Sequence, residues 1–265
     1  MDKIIVSNLS KTFGQTSVLH NVSFTVRDGE FLSILGPSGC GKTTILRILI
    51  GLETADSGTI LMDGKDITHV PSSLRNMGIV FQNYALFENM SVLRNVEYAL
   101  RKSAGTKKEY TREKAEKKAK EILELVGLTE HLEKKPRQLS GGQQQRVAIA
   151  RTLALNPAVI LFDEPMSALD VDTRLSLRTE LKALQKRFGS TMVYITHDQE
   201  EAFAMSDRIM VMDSGVIHQL DTPHCIVDHP ADDYVKQFVI KNINTKINSL
   251  IQFARTETEA ERQTS

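Results

Sequence analysis

Three stretches of this chain carry residue types at spacings suited to phosphate chemistry. Gly36-Pro-Ser-Gly-Cys-Gly-Lys-Thr-Thr44 reads G-x-x-x-x-G-K-T and sits between an apolar run at 31–35 and a helical run at 43–49, the setting of a phosphate-binding loop. Gly36, Gly39 and Gly41 let backbone N–H groups converge on phosphate oxygens where a side chain would intrude. The helix that follows points its positive end at the same place. Lys42 is then placed to reach the β- and γ-phosphates and the Thr43 hydroxyl to ligate Mg²⁺; Ser38, Cys40 and Thr44 complete the candidate nucleotide contacts. Cys40 lies beside Lys42 and a helix N-terminus, both of which lower a thiol pKa, so early alkylation that bound nucleotide blocks is expected there. The loop alone leaves kinase, GTPase, motor and transport ATPase open.

The second stretch, Val159-Ile-Leu-Phe-Asp-Glu164, is a buried strand delivering two carboxylates at its C-terminal end, where an open α/β sheet places its ligands. Asp163 suits Mg²⁺, directly or through water, and Glu164 suits the attacking water, as general base or as the group that orients it. The third, Leu139-Ser-Gly-Gly-Gln143, precedes a helical run at 144–155. Ser140 reads as a helix N-cap with two glycines exposing bare N–H groups; taken alone, a Ser before a helix is usually only a cap.

The elements that must hold these residues are legible in outline. Short apolar or alternating runs at 4–9, 22–26 and 59–62 predict an antiparallel β layer, with Asp28-Gly29 and Asp63-Gly64 as its turns. Apolar runs at 31–35, 77–81, 159–162, 192–196 and 209–212, separated by helical patterns, predict a doubly covered α/β sheet. Between Glu88 and Gln138 no strand pattern occurs, and Ala115, Ala119, Ile122, Leu123 and Val126 recur at helical spacing, which predicts an inserted helical subdomain. The basic run at 107–120 is interrupted by Glu109, Glu113 and Glu116 and reads as a solvated helix face rather than a nucleic-acid patch. Past Asp221, residues Val235, Phe238, Ile243, Ile247, Leu250 and Ile251 suggest an amphipathic helix or pair of helices over 234–253, followed by a polar tail at 256–265.

Composition sets outer bounds. The 265 residues are 41% hydrophobic and carry 33 basic against 33 acidic side chains, enough for a sizeable core and no net field to recruit a nucleic acid. Cys40 and Cys225 are the two cysteines, too few for a disulfide framework. The first residues lack the apolar core of a secretion signal, and no run reaches the roughly 18 apolar residues of a spanning helix. A reducing, cytoplasmic setting is expected, with any membrane role exercised through a partner chain.

Together the three stretches resemble the signature of the ATP-binding cassette family. Gln82 matches that family's Gln-loop, Ser167-Ala-Leu-Asp170 its D-loop, His197 its switch histidine, and Phe13, in Lys11-Thr-Phe-Gly14, the aromatic position that stacks on adenine, where Tyr is common. The motifs keep the family's order from about Leu9 to about Asp221. The resemblance implies an α/β fold, a RecA-like P-loop NTPase core with an N-terminal antiparallel β subdomain and an inserted α-helical subdomain. It implies an ATPase domain at 1–220, with about 88–150 inserted, and a short helical extension with a polar tail at 221–265. ATP and Mg²⁺ are the implied cofactors. Lys42 and Thr43 would bind phosphates and metal, Asp163 the metal, and Gln82 would sense Mg²⁺ and the water. His197 would touch the γ-phosphate and Glu164 would serve hydrolysis. Two cassettes would close head to tail, Ser140, Gly141, Gly142, Gln143 and Asp170 of one facing the nucleotide of the other, so this single cassette must pair with a copy or a relative.

Within the family, the text from Val70-Pro-Ser-Ser-Leu-Arg75 through Gly78-Ile-Val-Phe-Gln-Asn-Tyr-Ala-Leu-Phe87 is similar to cassettes that power binding-protein-fed importers of polyamines, ferric iron, sulfate, phosphonates, betaines or sugars. A multi-span membrane permease is the implied partner, holding this chain peripherally at the cytoplasmic face of the cell membrane, and a solute-binding protein an indirect one. The permease would dock near 82–95, where Tyr84, Leu86, Phe87, Met90 and Val92 are equally readable as core. Glu88 stands where many relatives have Pro, and the tail is shorter than the β-barrel regulatory domain many carry, so regulation through such a domain is not expected. An exporter or lipid-extraction motor and a soluble non-transport ATPase stay open as alternatives.

Overall fold

The computed structural model describes residues 1–102, 110–245 and 247–248. In chain order the first elements are β1 (Asp2–Phe13), β2 (Thr16–Arg27), β3 (Phe31–Leu35), α1 (Lys42–Ile50), β4 (Ser57–Met62), β5 (Lys65–Asp66) and β6 (Met77–Val80). Then come α2 (Val92–Lys102), α3 (Arg112–Leu125), α4 (Gly141–Leu153), β7 (Val159–Asp163), α5 (Val171–Phe188), β8 (Thr191–Thr196) and α6 (Gln199–Met205). β9 (Arg208–Asp213), β10 (Val216–Asp221), α7 (Pro223–Asp228) and α8 (Asp233–Val235) follow, the last running into a π-helical turn, Lys236–Lys241.

Alternation makes the first sheet. Ile4, Val6 and Leu9 of β1 face Leu19, Val22, Phe24 and Val26 of β2 on one buried side, and the antiparallel order is β2-β1-β4-β5. Asp63 and Gly64 both take positive φ, 50° and 75°, the geometry of a two-residue hairpin turn, and join β4 to β5 as expected. Asp28-Gly29 is different. β2 ends at Arg27 and β3 pairs with β8 and β9, so this turn hands the chain to the second sheet instead of closing a hairpin in the first.

That second sheet has the order β10-β9-β3-β8-β7-β6, parallel except for β10. Its strands are apolar on both sides because both faces are covered. Leu32, Ile34, Val159, Leu161, Val193 and Ile195 pack against α1 and the first sheet. Ile160, Phe162, Met192 and Tyr194 pack towards α4, α5 and the helical subdomain. β10 is an edge strand whose His218 and Gln219 dilute any apolar run, which hid it from sequence reading. In α3, Ala115, Ala119, Ile122 and Leu123 are buried while Lys114, Lys117 and Lys120 are exposed, so the basic text is a solvated face; residues 107–109 of that run lie outside the described residues. Beyond β10, Ile226, Val235 and Val239 pack on Leu35, Ala202, Ile209 and Val211 with Phe238 and Ile243 beside them. The extension thus lies on its own core as far as Ile243, whereas Ile247 is exposed; Leu250, Ile251, Phe253 and the polar tail lie outside the described residues.

One buried cation fixes α1 from its far end. Arg75 is 3% exposed and donates to the carbonyls of Ile48 and Leu49 at 2.7 and 2.8 Å, and to those of Val70 and Thr68 at 2.7 and 3.0 Å. The first two belong to the last turn of α1, whose carbonyls lack i+4 helical donors and carry the negative end of the helix dipole, Ile48 O also accepting from the Gly51 cap N–H at 3.1 Å. We expect Arg75→Ala to cost about 3 kcal/mol, because several buried carbonyls lose a charged donor at once, and to lower the melting temperature by roughly 6–12 °C. Calorimetry would show it; a shift of about a degree would refute this account of α1.

Candidate nucleotide site

Between β3 and α1 the chain makes a tight loop whose glycines are needed for separate reasons. A Cβ on Gly36 would meet the Met212 carbonyl at 2.3 Å and Cys40 Sγ at 2.9 Å, so that position is closed by packing. Gly41, at φ 104°, would press on Leu19 and the Val18 carbonyl, and it caps α1 without any side-chain bond, leaving the first N–H groups of the helix free for a ligand. Lys42 is buried and lies back over the loop, donating to the carbonyls of Gly36 and Pro37 at 2.8 Å each.

The metal-suited groups meet across 120 residues. Thr43 Oγ1 donates to Asp163 Oδ1 at 3.1 Å, joining the start of α1 to the end of β7. Burial raises the Asp163 carboxyl above its usual range, the Thr43 bond opposes this, and neighbouring Glu164 adds to the rise. Among the described residues no group of three or more His, Cys, Asp or Glu side chains gathers. One hydroxyl and one carboxylate fit Mg²⁺, which keeps water and takes much of its shell from substrate phosphates.

Beside Asp163, Glu164 adopts φ 44°, an uncommon region for a non-glycine residue. Its N–H donates to the Ile195 carbonyl at 3.2 Å and its Oε2 lies 3.0 Å from His197 Nδ1. Gln82 Nε2 donates to Ser167 Oγ at 3.1 Å, and Ser167 Oγ to the Glu164 carbonyl at 3.0 Å. Ser38, Gly39, Gly41, Lys42, Thr43, Thr44, Gln82, Asp163, Glu164 and Val18 line one open cleft of about 340 Å³. Phe13, 45% exposed, is not core: it sits at the tip of the hairpin whose Val18 lines the cleft, with Lys11 Nζ 4.9 Å above its ring.

Ser140 and its neighbours do not line that cleft. Ser140 caps α4 in a reciprocal box, its Oγ accepting from Gln143 N at 3.3 Å and Gln143 Oε1 accepting from Ser140 N at 3.0 Å. Asp170 caps α5 through Thr173. The two caps adjoin, since a Cβ on Gly142 would strike the Thr173 methyl at 2.5 Å. They form a second, outward-facing cluster, and the cleft is one-sided within this chain.

The family profile described as "ABC transporter" matches residues 19–167, which span the phosphate loop, the Ser140 cap and the carboxylate pair. The chain belongs to the ABC transporter family. Among curated members, the spermidine/putrescine import ATP-binding protein PotA of Nitratidesulfovibrio vulgaris is 49% identical over 90% of this chain and 64% of its own length. The Fe(3+) ions import ATP-binding protein FbpC of Agrobacterium fabrum is 50% identical over 89% and 65% respectively. The chain therefore spans less than two thirds of the length of these relatives. Among solved structures, the bacterial ABC transporter cassette MJ0796, described as dimeric and in one form as bound to ADP and Pi, superposes with a TM-score of 0.74. In that ADP- and Pi-bound form it is 34% identical, covering 83% of this chain and 98% of its own.

Within the family site, the expectation for Cys40 is overturned. Burial outweighs Lys42 and the helix end and pushes the thiol pKa up, and Sγ is packed against Gly36 and almost wholly covered. A protonated, shielded thiol is a filler and not a nucleophile. Sequence reading also passed over the groups that hold the site's loops. Arg151 donates to the carbonyls of Ala85 and Tyr84 at 2.6 and 3.0 Å, pinning the segment after Gln82, where Tyr84 and Ala85 both take positive φ. A lone Arg inside a helix carries no signal of this. Of the apolar residues of that segment, Tyr84 and Val92 are core and Leu86 packs against it. Phe87 is exposed, edge-on to exposed Tyr98 at 4.9 Å.

Proposed function

We propose that this chain is an ATP-hydrolysing subunit that works as one of two head-to-tail cassettes and powers solute import through a membrane permease. The observation that carries the reading is the convergence of two pairs, Thr43 with Asp163 and Glu164 with His197, on the mouth of one glycine-built phosphate loop. When bound, Mg²⁺ would neutralise charge on the phosphates. Gly39, Gly41 and the start of α1 would cradle the phosphates with N–H groups, with Ser38 and Thr44 on the same wall, the Cys40 side chain packed behind the loop against Gly36, and Phe13 against the base. Lys42 leaves its two carbonyls for a stronger, anionic acceptor. Thr43, Asp163 and Gln82 would hold the metal and its water, and Glu164 would take the proton of the attacking water. A carboxylate only accepts, so the bond to Glu164 puts a proton on His197 Nδ1. To donate to a phosphate, His197 must release Glu164 or take up a second proton.

Ser140, Gly141, Gly142 and Gln143 point the reading towards a dimer, because they form a phosphate-suited helix start that does not line the cleft of its own chain, with Asp170 capping the adjoining α5. We take 1–220 as the ATPase domain, with about 88–150 inserted, and 221–265 as an extension, which packs on the core as far as Ile243. No helix among the described residues is long and apolar enough to cross a membrane, so attachment to the cytoplasmic face would run through the permease, and no nucleic-acid partner is proposed. The permease would dock on Phe87, Met90 and Tyr98, beside a groove of about 410 Å³ edged by Arg94 and Arg101. The import-type names of the relatives at 49–50% identity favour import over export. A tagged chain extracted in mild detergent from its own membranes should bring down a multi-span permease together with a solute-binding protein. A permease without any solute-binding protein would point to export, and recovery of the chain alone to a soluble ATPase.

A further inference from the structure

His197 leaves the end of β8, and the group that holds this end lies in the first turn of α6. Glu201 is 3% exposed, and one of its oxygens, Oε2, accepts from Tyr194 Oη at 2.7 Å and from Thr196 Oγ1 at 2.8 Å. Thr196 Oγ1 in turn accepts from Asp198 N at 2.9 Å, so the residues on either side of His197 are tied to a single hydroxyl. Asp198 Oδ1 already caps α6, which leaves Glu201 without a capping task. Asp198 Oδ2 meets Arg174 Nη1 at 3.3 Å, and Arg174 Nη2 donates to the Leu169 carbonyl at 3.0 Å, next to Asp170.

A buried carboxylate is costly to keep, and an apolar side chain of like volume would avoid that cost. Here the carboxylate is kept at the one place where its two donors are the strand residues leading to His197. Burial, reinforced by the Glu201 charge, pushes the Tyr194 phenol well above its ordinary range, so it stays a donor at any working pH. Tyr194, Thr196 and Glu201 are buried, while the Asp198–Arg174 pair is part-exposed; none of these side chains lines the cleft that takes the nucleotide.

We infer that Glu201 is a positioning residue for His197, fixing through Tyr194 and Thr196 the backbone from which the imidazole reaches Glu164, while Arg174 braces the same turn from the Asp170 side. The inference rests on the hydrolytic role proposed above. It is tested on the full chain with Glu201→Ala, Glu201→Gln and Thr196→Val. Glu201→Ala should lower kcat by about 10- to 100-fold and leave KM for ATP within about twofold, since a misplaced reacting group costs turnover more than ground-state binding. Glu201→Gln, whose amide oxygen can accept both hydroxyls, should recover most of that loss. Thr196→Val should mimic Glu201→Ala, and the two together should cost no more than either alone, as members of one network do.

A readout independent of turnover is the ¹H–¹⁵N spectrum of the His197 imidazole, assigned with His197→Ala. It should move in Glu201→Ala and Thr196→Val and return in Glu201→Gln, while Leu123→Ala, a core lesion in the helical subdomain, leaves it in place. If Glu201→Ala does not fold, Thr196→Val against Glu201→Gln decides. An unmoved imidazole signal overturns the inference whether or not the parent chain hydrolyses ATP, as does a loss that falls on KM or that Leu123→Ala shares. A moved signal in a parent that releases no phosphate supports the positioning and sinks the hydrolytic reading instead.

Discussion

Glu164→Gln should bind ATP as tightly as the parent chain and release phosphate roughly 10²- to 10³-fold more slowly, the loss expected when a positioned base is removed. That is about 3–4 kcal/mol of transition-state stabilisation. The exchange is nearly isosteric, and the parts that set the residue's uncommon backbone geometry do not involve its carboxylate: the N–H on the Ile195 carbonyl and the carbonyl on Ser167 Oγ. The amide oxygen can still accept from His197 Nδ1, so the mouth of the cleft keeps its shape. What goes is the carboxylate proposed to take the proton of the attacking water, beside an Asp163 whose Oδ1 accepts from Thr43. Because ATP would persist, the variant should also accumulate as an ATP-bound dimer in sizing experiments with Mg²⁺. Near-parental phosphate release by Glu164→Gln would remove Glu164 from the role of base.

What sequence alone made legible follows from burial geometry. β3, β7 and β8 read cleanly because both faces are covered, so every position of Phe31–Leu35 and Thr191–Thr196 is buried and each strand is mostly apolar, with only Ser33, Thr191, Thr196 and the terminal Asp163 departing from it. The phosphate loop and the carboxylate pair read cleanly for a different reason: the residues of each motif are consecutive in the chain, although the two motifs meet across 120 residues. The misses share the opposite property. Asp28-Gly29 has the composition of a hairpin turn, and only the pairing of β3 with β8 shows that it changes sheets. Cys40 was judged by the charges next to it in the chain, whereas its thiol is governed by Gly36 and the burial around it. Arg75, Arg151 and Glu201 act on backbone or hydroxyls that the text of the chain does not place beside them. Charge beside charge is visible in a sequence; a buried charge serving a carbonyl is not.

The claim with most of the mechanism behind it is that each site is completed by a second chain, and a mixed dimer puts it at risk. Lys42→Ala damages the phosphate loop. Ser140→Arg puts bulk and charge at a helix start that faces outward, away from its own cleft. Each homodimer should be inactive, since both of its sites carry a defect. In a mixed dimer, head-to-tail closure gathers both defects into one site and leaves the other with an intact Lys42 from one chain and an intact Ser140 from its partner. Phosphate release should then return to about half the parental rate per dimer if the sites act independently, and to less if they are coupled, as shared elements generally are. If each site were complete within a chain, every chain in the mixture would carry one lesion and mixing would restore nothing. Crosslinking should first establish that mixed dimers form, and a parental chain paired with Lys42→Ala should establish that one intact site turns over. With both established, mixed dimers that release no phosphate would end the shared-site reading. The outward-facing cluster of Ser140, Gly141, Gly142 and Asp170 would then need a different occupant.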